Sequence, residues 1–171
     1  MIVNNLNPDS LQGDKIVLGF LESMGASVKI RSDSISISKK VLHAVNVDLS
    51  DCIDLLPTMA VLAAVAEGTS KLTGVRRARI KESNRITAVR EGLLQSGIDV
   101  IEGEDELIIC GAVPRPAIID SNGDHRIAMA FSMLGAVAGN VVINSAECVS
   151  KTYPEFWNVL ESIGGKVKRN E

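Results

Sequence analysis

The chain has 171 residues, 46% of them hydrophobic and 23% charged. This size and composition are typical of one compact domain that buries its core without metal or disulfide staples. The 18 Lys and Arg against 21 Asp and Glu give a formal net charge of −3, which excludes a general attraction to nucleic acid or to an anionic membrane. Any anion site must therefore be a local cluster of cations.

The cysteines and the hydropathy pattern indicate where the protein works. Cys52, Cys110 and Cys148 match neither a C-x-x-C metal pattern nor a disulfide framework, so we expect ordinary buried thiols in a reducing cytoplasm. No apolar run reaches the ~18 residues of a membrane-spanning helix, and the start, MIVNNLNPDS, lacks the regions of a signal peptide. We expect a soluble cytoplasmic protein that makes no membrane contacts.

Hydrophobic periodicity and glycine positions predict the same order of elements in two successive segments. The first segment predicts an amphipathic helix over 10–24, strands over 27–32, 34–38 and 44–49, an apolar helix over 54–68 and a strand over 69–75. The second predicts a helix over 82–96, strands over 98–103, 106–111 and 117–121, an apolar helix over 124–139 and a strand over 140–146. Both apolar helices are hydrophobic nearly all round, so we expect them to be buried on every side.

The chain is also similar to itself. LESMGASV at 21–28 returns as LLQSGIDV at 93–100 and as LESIGGKV at 160–167, a period of about 70 residues. The repeat predicts an α/β (α+β) fold of βαβαββ units, with buried helices inside and sheets outside. We expect one domain over 1–171, with units of roughly 1–74 and 75–146 and a partial unit over 147–171.

The stretch RRARIKESNR at 76–85 places five cations and one carboxylate where a helix is predicted to begin. Lys81 and Arg85 would be i, i+4 neighbours on that helix, with Glu82 beside them. Cations in a first turn oppose the helix dipole, at a cost of a few tenths to ~1 kcal/mol unless an anion is present. A bound phosphate or carboxylate would reverse this cost. The alternative is a solvated basic turn.

Two further predicted helix starts carry a cation. SNGDHR at 121–126 places Arg126 at the start of the second apolar helix. Lys151 precedes TYPE, in which Thr152 and Glu155 fit a capping box for the last helix. Three cationic helix starts favour a convergent anion site over a solvated turn.

Asp54 and Glu82 are candidate acid–base residues. Asp54 opens the first apolar helix, where it could be the N-cap or a general base beside the cations. Glu82 could act as an acid in a suitable environment. His125 is either a catalytic group or a satisfied polar contact, and His43 is expected at the surface.

Other chemistries fit the sequence poorly. It contains neither G-x-x-x-x-G-K-[ST] nor G-x-G-x-x-G, and its two separated histidines form no zinc constellation. A nucleic-acid site could use the cations of 71–85 as a phosphate track, but no aromatic residue interleaves with them.

Five motifs in order resemble the family of 5-enolpyruvylshikimate-3-phosphate synthase, also called 3-phosphoshikimate 1-carboxyvinyltransferase. They are LNPDSLQGD, DLLPTMAVLAAVAEGTS, KESNRI, GDHRIAMAFS and SKTYPEFW, and the likeness runs from about residue 4 to the end. The resemblance implies transfer of the enolpyruvyl group of phosphoenolpyruvate to the 5-hydroxyl of shikimate 3-phosphate, releasing phosphate. It also implies a place on the route to chorismate and aromatic amino acids, competition by glyphosate, and no metal or organic cofactor.

The resemblance also implies roles for single residues. Asp54 matches the aspartate that contacts the shikimate hydroxyls and is the favoured base, and Glu82 matches the glutamate that handles the proton at the phosphoenolpyruvate methylene. Four positions match the cations around phosphoenolpyruvate, namely Lys81, Arg85, Arg126 and Lys151.

Four further positions bear on the same resemblance. Asp124 and His125 match the residues that support the neighbouring Arg126. Arg77 falls where some members have a substrate-contacting Asn, and Asn84 replaces the commoner Asp of the KES-x-R motif.

The family's chain is longer and folds as two domains of three units each, with the active site in the cleft between them. This chain resembles the C-terminal part, so we expect a fragment, monomeric and inactive alone, whose partner is the other domain. An open alternative is a non-catalytic module on the same repeat that binds anions or RNA.

Overall fold

The structure, a computed structural model, describes residues 1–7, 9–38 and 40–169. Its strands and α-helices in chain order are β1 (Ile2–Asn4), α1 (Val17–Ser23), β2 (Ser27–Ile30), β3 (Ser34–Ser38), β4 (Asn46–Asp48), α2 (Leu56–Ala64), β5 (Thr69–Thr73), α3 (Arg85–Gln95), β6 (Asp99–Glu102), β7 (Glu106–Cys110), β8 (Ile118–Asp120), α4 (His125–Ala138), β9 (Val142–Asn144) and α5 (Phe156–Ser162). Short 3-10 helices lie at Gly13–Ile16, Ile53–Leu55, Arg76–Ile80 and Ala146–Lys151.

The strands form three sheets. One is antiparallel in the order β1-β3-β2, a second has the order β4-β5-β7-β6, and a third consists of β8 and β9. The pairs β4–β5 and β8–β9 are parallel, whereas β5–β7 and β6–β7 are antiparallel. The parallel pairs are the ones that a buried helix connects, as expected for a crossover.

The helices α2 and α4 pack against each other beneath the sheets, and α3 contacts both. Every residue of α2 except Thr58 is at least partly buried, which follows from its apolar composition. The predicted α/β fold with buried helices inside and sheets outside is confirmed. For α4, burial on every side is wrong in its second half, because Met133 and Val137 face solvent.

The repeat is visible in the loops that follow β4 and β8. The side chain of Asp48 accepts a hydrogen bond from the backbone N–H of Ser50, and Asp120 does the same from Asn122, both at 2.8 Å. The two turns precede α2 and α4. The boundaries of the predicted units stay a prediction, and residues 170–171 of the partial unit lie outside the described residues, as does Pro8 of the LNPDSLQGD motif.

Several local predictions are wrong at element ends. The helix predicted over 82–96 begins at Arg85, because Asn84 is its N-cap and accepts from the N–H of Thr87 at 3.4 Å. The last helix begins at Phe156 without a side-chain cap, so the capping box of Thr152 is wrong. The first helix is shorter than 10–24, since its first turn is the 3-10 helix Gly13–Ile16.

The cysteines and His43 lie in different environments. Cys52 is buried, but Cys110 is exposed, because the alternation along β7 points Leu107 and Ile109 inward and Cys110 outward. The prediction of three buried thiols is therefore wrong for Cys110. His43 is exposed, as predicted, and its Nδ1 lies 3.6 Å from a Glu67 oxygen.

Candidate active site

A buried arginine, Arg85, forms the centre of the candidate site. Its side chain is fully buried at the first residue of α3. Nε donates to Asp124 at 2.7 Å, Nη1 to Asp54 at 2.6 Å and Nη2 to Glu82 at 2.5 Å. The guanidinium therefore joins three carboxylates from three different parts of the chain.

Asp54 receives two more cations. It lies in the 3-10 helix Ile53–Leu55 just before α2. Lys81 Nζ is 3.2 Å from its Oδ1, and Arg126 Nη2 is 3.3 Å from its Oδ2. Burial raises the pKa of Asp54, but the hydrogen bond from Lys81 and the charges of Arg126 and Arg85 outweigh it, so the pKa lies below its ordinary value.

Asp124 is the second anchor of Arg85, and its side chain is fully buried. It is the N-cap of α4 and accepts from the N–H of Arg126 at 2.9 Å and from Ser83 Oγ at 3.1 Å. Burial raises the pKa of this carboxyl, but the hydrogen bond and charge of Arg85 lower it by more. The hydrogen bonds from the N–H of Arg126 and from Ser83 lower it as well. The net pKa of Asp124 is lowered.

The positions of Lys81 and Arg85 differ from the sequence prediction. Lys81 follows the 3-10 helix Arg76–Ile80 in an extended conformation, so it is not an i, i+4 neighbour of Arg85 on one helix. The charge of Arg85 in the first turn of α3 is offset by the protein's own carboxylates, whereas the sequence analysis expected a free anion there. Asp54 is likewise not an N-cap, because Leu55 occupies that position of α2 and no side chain caps it.

The site has a buried floor and a partly exposed rim. The floor is the pair of Arg85 and Asp124, which has no solvent exposure. Four rim side chains are each about one-third exposed: Asp54, Lys81, Glu82 and Arg126. Three cations balance three carboxylates in this cluster, and the exposed edges of Lys81 and Arg126 are the groups that an incoming anion meets first.

Arg126 and His125 begin α4 at the edge of this cluster. Arg126 Nη1 also lies 4.0 Å from a carboxylate oxygen of Asp14. His125 is buried, and its side chain makes no hydrogen bond or ion pair with any residue in the described ranges. The role of His125 in supporting Arg126 therefore stays a prediction.

Arg77 and Lys151 are not part of the cluster. Arg77 Nη2 donates to the backbone carbonyl of Ser50, and an open cleft of about 280 Å³ lies between Arg77, Lys81, Ile53 and Ile80. Lys151 ends the 3-10 helix Ala146–Lys151 and is exposed. Within the part of the chain that the structure describes, its Nζ has no carboxylate partner.

Two residues of the site were missed by the sequence analysis. Ser83 bonds Asp124 from 41 residues away, and Asp14 reaches Arg126 from the 3-10 helix Gly13–Ile16. Ser83 lies inside the KES-x-R motif, but nothing in local spacing indicates a partner so distant in sequence. Within the described ranges, no cluster of three or more His, Cys, Asp or Glu side chains could hold a metal ion.

Comparisons with known proteins show the family to which the chain belongs. A profile of the family described as EPSP synthase (3-phosphoshikimate 1-carboxyvinyltransferase) matches residues 1–160. The chain belongs to the EPSP synthase family. A 3-phosphoshikimate 1-carboxyvinyltransferase of Dehalococcoides mccartyi is 56% identical over 167 residues, and one of Methanosphaera stadtmanae is 44% identical over 164 residues.

Solved structures of EPSP synthase share the fold. One from Acinetobacter baumannii has a TM-score of 0.82 at 30% sequence identity, covering 99% of this chain and 43% of that one. The Dehalococcoides match likewise covers 98% of this chain and 40% of the relative. The chain therefore spans about two-fifths of the length of the EPSP synthase relatives that it matches.

The EPSP synthase motifs lie where the cluster forms. KES-x-R supplies Lys81, Glu82 and Arg85, and GDHR supplies Asp124 and Arg126. No helix among the described residues is long and apolar enough to cross a membrane.

Proposed function

We propose that this chain supplies part of an active site that transfers the enolpyruvyl group of phosphoenolpyruvate to the 5-hydroxyl of shikimate 3-phosphate and releases phosphate. One observation carries the proposal. In a member of the EPSP synthase family, Lys81, Arg85 and Arg126 converge on the single carboxylate of Asp54 at 2.6–3.3 Å. Cations collected at one point can hold a substrate that bears both a phosphate and a carboxylate.

The proposed chemistry uses the two carboxylates of the rim. Asp54 accepts the proton of the attacking hydroxyl, whose oxygen bonds to the central carbon of phosphoenolpyruvate. Glu82 gives a proton to the methylene carbon and later takes one back, while the C–O bond to phosphate breaks. Both groups are one-third exposed, so a bound substrate can reach them.

Arg85 has a different position from Lys81 and Arg126. All three of its nitrogens already donate to carboxylates, so it reaches a substrate anion only by exchanging one of them. Arg85 therefore orders Asp54 and Glu82 before substrate arrives, and we assign first contact with phosphoenolpyruvate to Lys81 and Arg126.

The remaining predicted residues surround the cluster or support it. Lys151 and Arg77 are exposed and would meet substrate when the rest of the protein closes over the rim. Asp124 and His125 support Arg126 from the start of α4.

The partners of the chain follow from the same proposal. The small-molecule partners are phosphoenolpyruvate and shikimate 3-phosphate, and the protein partner is the domain that makes up the rest of its relatives. We further propose a cytoplasmic monomer that binds no nucleic acid.

The proposal is tested by joining this chain to the remaining three-fifths of the Dehalococcoides relative and assaying phosphate release from the two substrates. Glu82→Gln keeps the shape of the side chain but removes its acid–base function. We expect kcat to fall by about 10²–10⁴-fold, the usual worth of a general acid or base. Glu67→Gln, at an exposed site that pairs with His43, is the matched control and keeps normal turnover.

Two results would overturn the proposal. One is normal turnover of the Glu82→Gln protein. The other is a joined protein that folds but binds RNA in a salt-dependent manner without binding phosphoenolpyruvate, which would favour the alternative of a nucleic-acid module.

A further inference from the structure

Arg79 lies outside the cluster, and hydrogen bonds hold its side chain. Its Nη1 donates to Glu102 at 2.6 Å and its Nη2 to the carbonyl of Gly103 at 2.7 Å. Both side chains of the Arg79–Glu102 pair are mostly buried. These bonds fasten the 3-10 helix Arg76–Ile80 to the turn between β6 and β7.

Glu102 also bonds α3, the helix that follows residues 81–84. The same oxygen, Oε1, accepts from Thr87 Oγ1 at 3.3 Å, and Thr87 lies in the first turn of α3. One carboxylate therefore ties the element before residues 81–84 to the element after them. Lys81, Glu82 and Ser83 lie in the segment between these two ties.

Apolar packing does little to hold the 3-10 helix that precedes this segment. Within the 3-10 helix Arg76–Ile80, only Ala78 is buried, and Ile80 is 86% exposed. A small methyl group buries little area, so polar contacts are the main restraint on where Lys81 begins, and the bonds of Arg79 are among them.

We propose that Arg79 and Glu102 are positioning residues that hold the 81–84 segment so that Lys81 Nζ reaches the carboxylate of Asp54. They touch no substrate and act through Lys81. Their relevance to catalysis rests on the proposed function, whereas their effect on the contact between Lys81 and Asp54 does not.

Arg76 provides a matched control on the same 3-10 helix. Its Nη2 lies 3.1 Å from Glu104, but the two side chains are 72% and 75% exposed. Exposed ion pairs of this kind contribute little to stability. Truncation of Arg76 removes an arginine from the same helix without cutting the tie to Glu102.

The test is the pKa of the Asp54 carboxyl, measured by NMR titration of the chain without any ligand. Lys81 lowers this pKa, so Lys81→Ala raises it. We expect Arg79→Ala to raise it by most of the same amount, and Arg76→Ala to leave it unchanged. In the Lys81→Ala background, Arg79→Ala should add nothing, because the effect passes through Lys81.

An unchanged pKa of Asp54 in the Arg79→Ala chain would overturn the proposal. An equal rise in the Lys81→Ala background would also overturn it, since a general loosening of the fold does not depend on Lys81. Urea unfolding checks that each variant is folded. If Arg79→Ala does not fold, Glu102→Gln and Arg79→Lys are measured in its place, with a smaller rise expected and no rise contradicting the proposal. Because no substrate is used, these outcomes are independent of the proposed function.

Discussion

At the scale of single residues, the buried pair of Arg85 and Asp124 governs the rest of the cluster. Neither side chain has solvent exposure, and removal of one partner of such a pair costs about 3–5 kcal/mol, because the other charge stays buried. The pair therefore fixes the starts of α3 and α4 against each other. Asp54 and Glu82 take their positions from the same guanidinium.

Asp124 gives the folded chain a dependence on acid pH. Its pKa is lowered in the folded state, so its contribution to stability is complete above the unfolded value of about 3.9 and is lost as pH falls through the folded pKa. We expect Asp124→Asn to give a shallower loss of unfolding free energy as pH falls below about 5. Asn is as good an N-cap as Asp, so capping is retained.

Urea unfolding at a series of pH values measures this dependence. Asp120→Asn is the control, since Asp120 also caps a turn but lies outside the cluster. Equal slopes for the Asp124→Asn chain and the parent chain would contradict the role given to Asp124.

The identity of the site residues could be predicted from the sequence, but their contacts could not. Lys81, Glu82 and Arg85 lie in one motif. Arg126 is a further cation at a predicted helix start. Their common partner Asp54 is 31 residues from Arg85 and 72 from Arg126. No local pattern indicates a partner so distant in the sequence, so the cations predicted a free anion where the protein supplies its own carboxylate.

At the scale of elements, the packing of α3 on α4 depends on Gly92. A Cβ at this position would lie 2.5 Å from Cζ of Phe131, in a fully buried part of the interface. The two helices that carry Arg85 and Arg126 therefore approach each other closely because one residue has no side chain.

Gly92→Ala is expected to lower the free energy of unfolding by about 1–3 kcal/mol, because the ring of Phe131 must move in a packed core. The loss should exceed the gain of about 0.5–1 kcal/mol from better helix propensity. Gly19→Ala in α1 is the control, since nothing lies within 4 Å of its added Cβ, and it should stabilise the chain. A stabilised Gly92→Ala chain in urea unfolding would contradict this packing account.

Element type was predictable where the sequence pattern is strong: a long apolar run indicates α2, and short apolar runs bounded by glycine indicate the paired strands. Helix starts were not, because 3-10 helices precede α1, α2 and α3. The 3-10 helix Arg76–Ile80 was missed since its single buried residue, Ala78, leaves no apolar period to detect. Lys81 was therefore predicted on the same helix as Arg85, whereas it lies before the first residue of α3.

At the scale of the whole molecule, the cluster has a floor but an open rim. Asp54, Lys81, Glu82 and Arg126 remain one-third exposed, and the chain spans about two-fifths of the relatives' length. Transfer between two substrates needs both to be oriented and water to be excluded. We therefore expect the residues of this chain to require the remaining length of the protein for catalysis.

The most direct test is phosphate release from phosphoenolpyruvate and shikimate 3-phosphate by the isolated 171-residue chain, measured beside the joined protein. The account predicts turnover by the joined protein and none above background by the chain alone, although the chain is folded. Turnover by the isolated chain comparable to that of the joined protein would contradict the claim that this cluster is one part of a divided site.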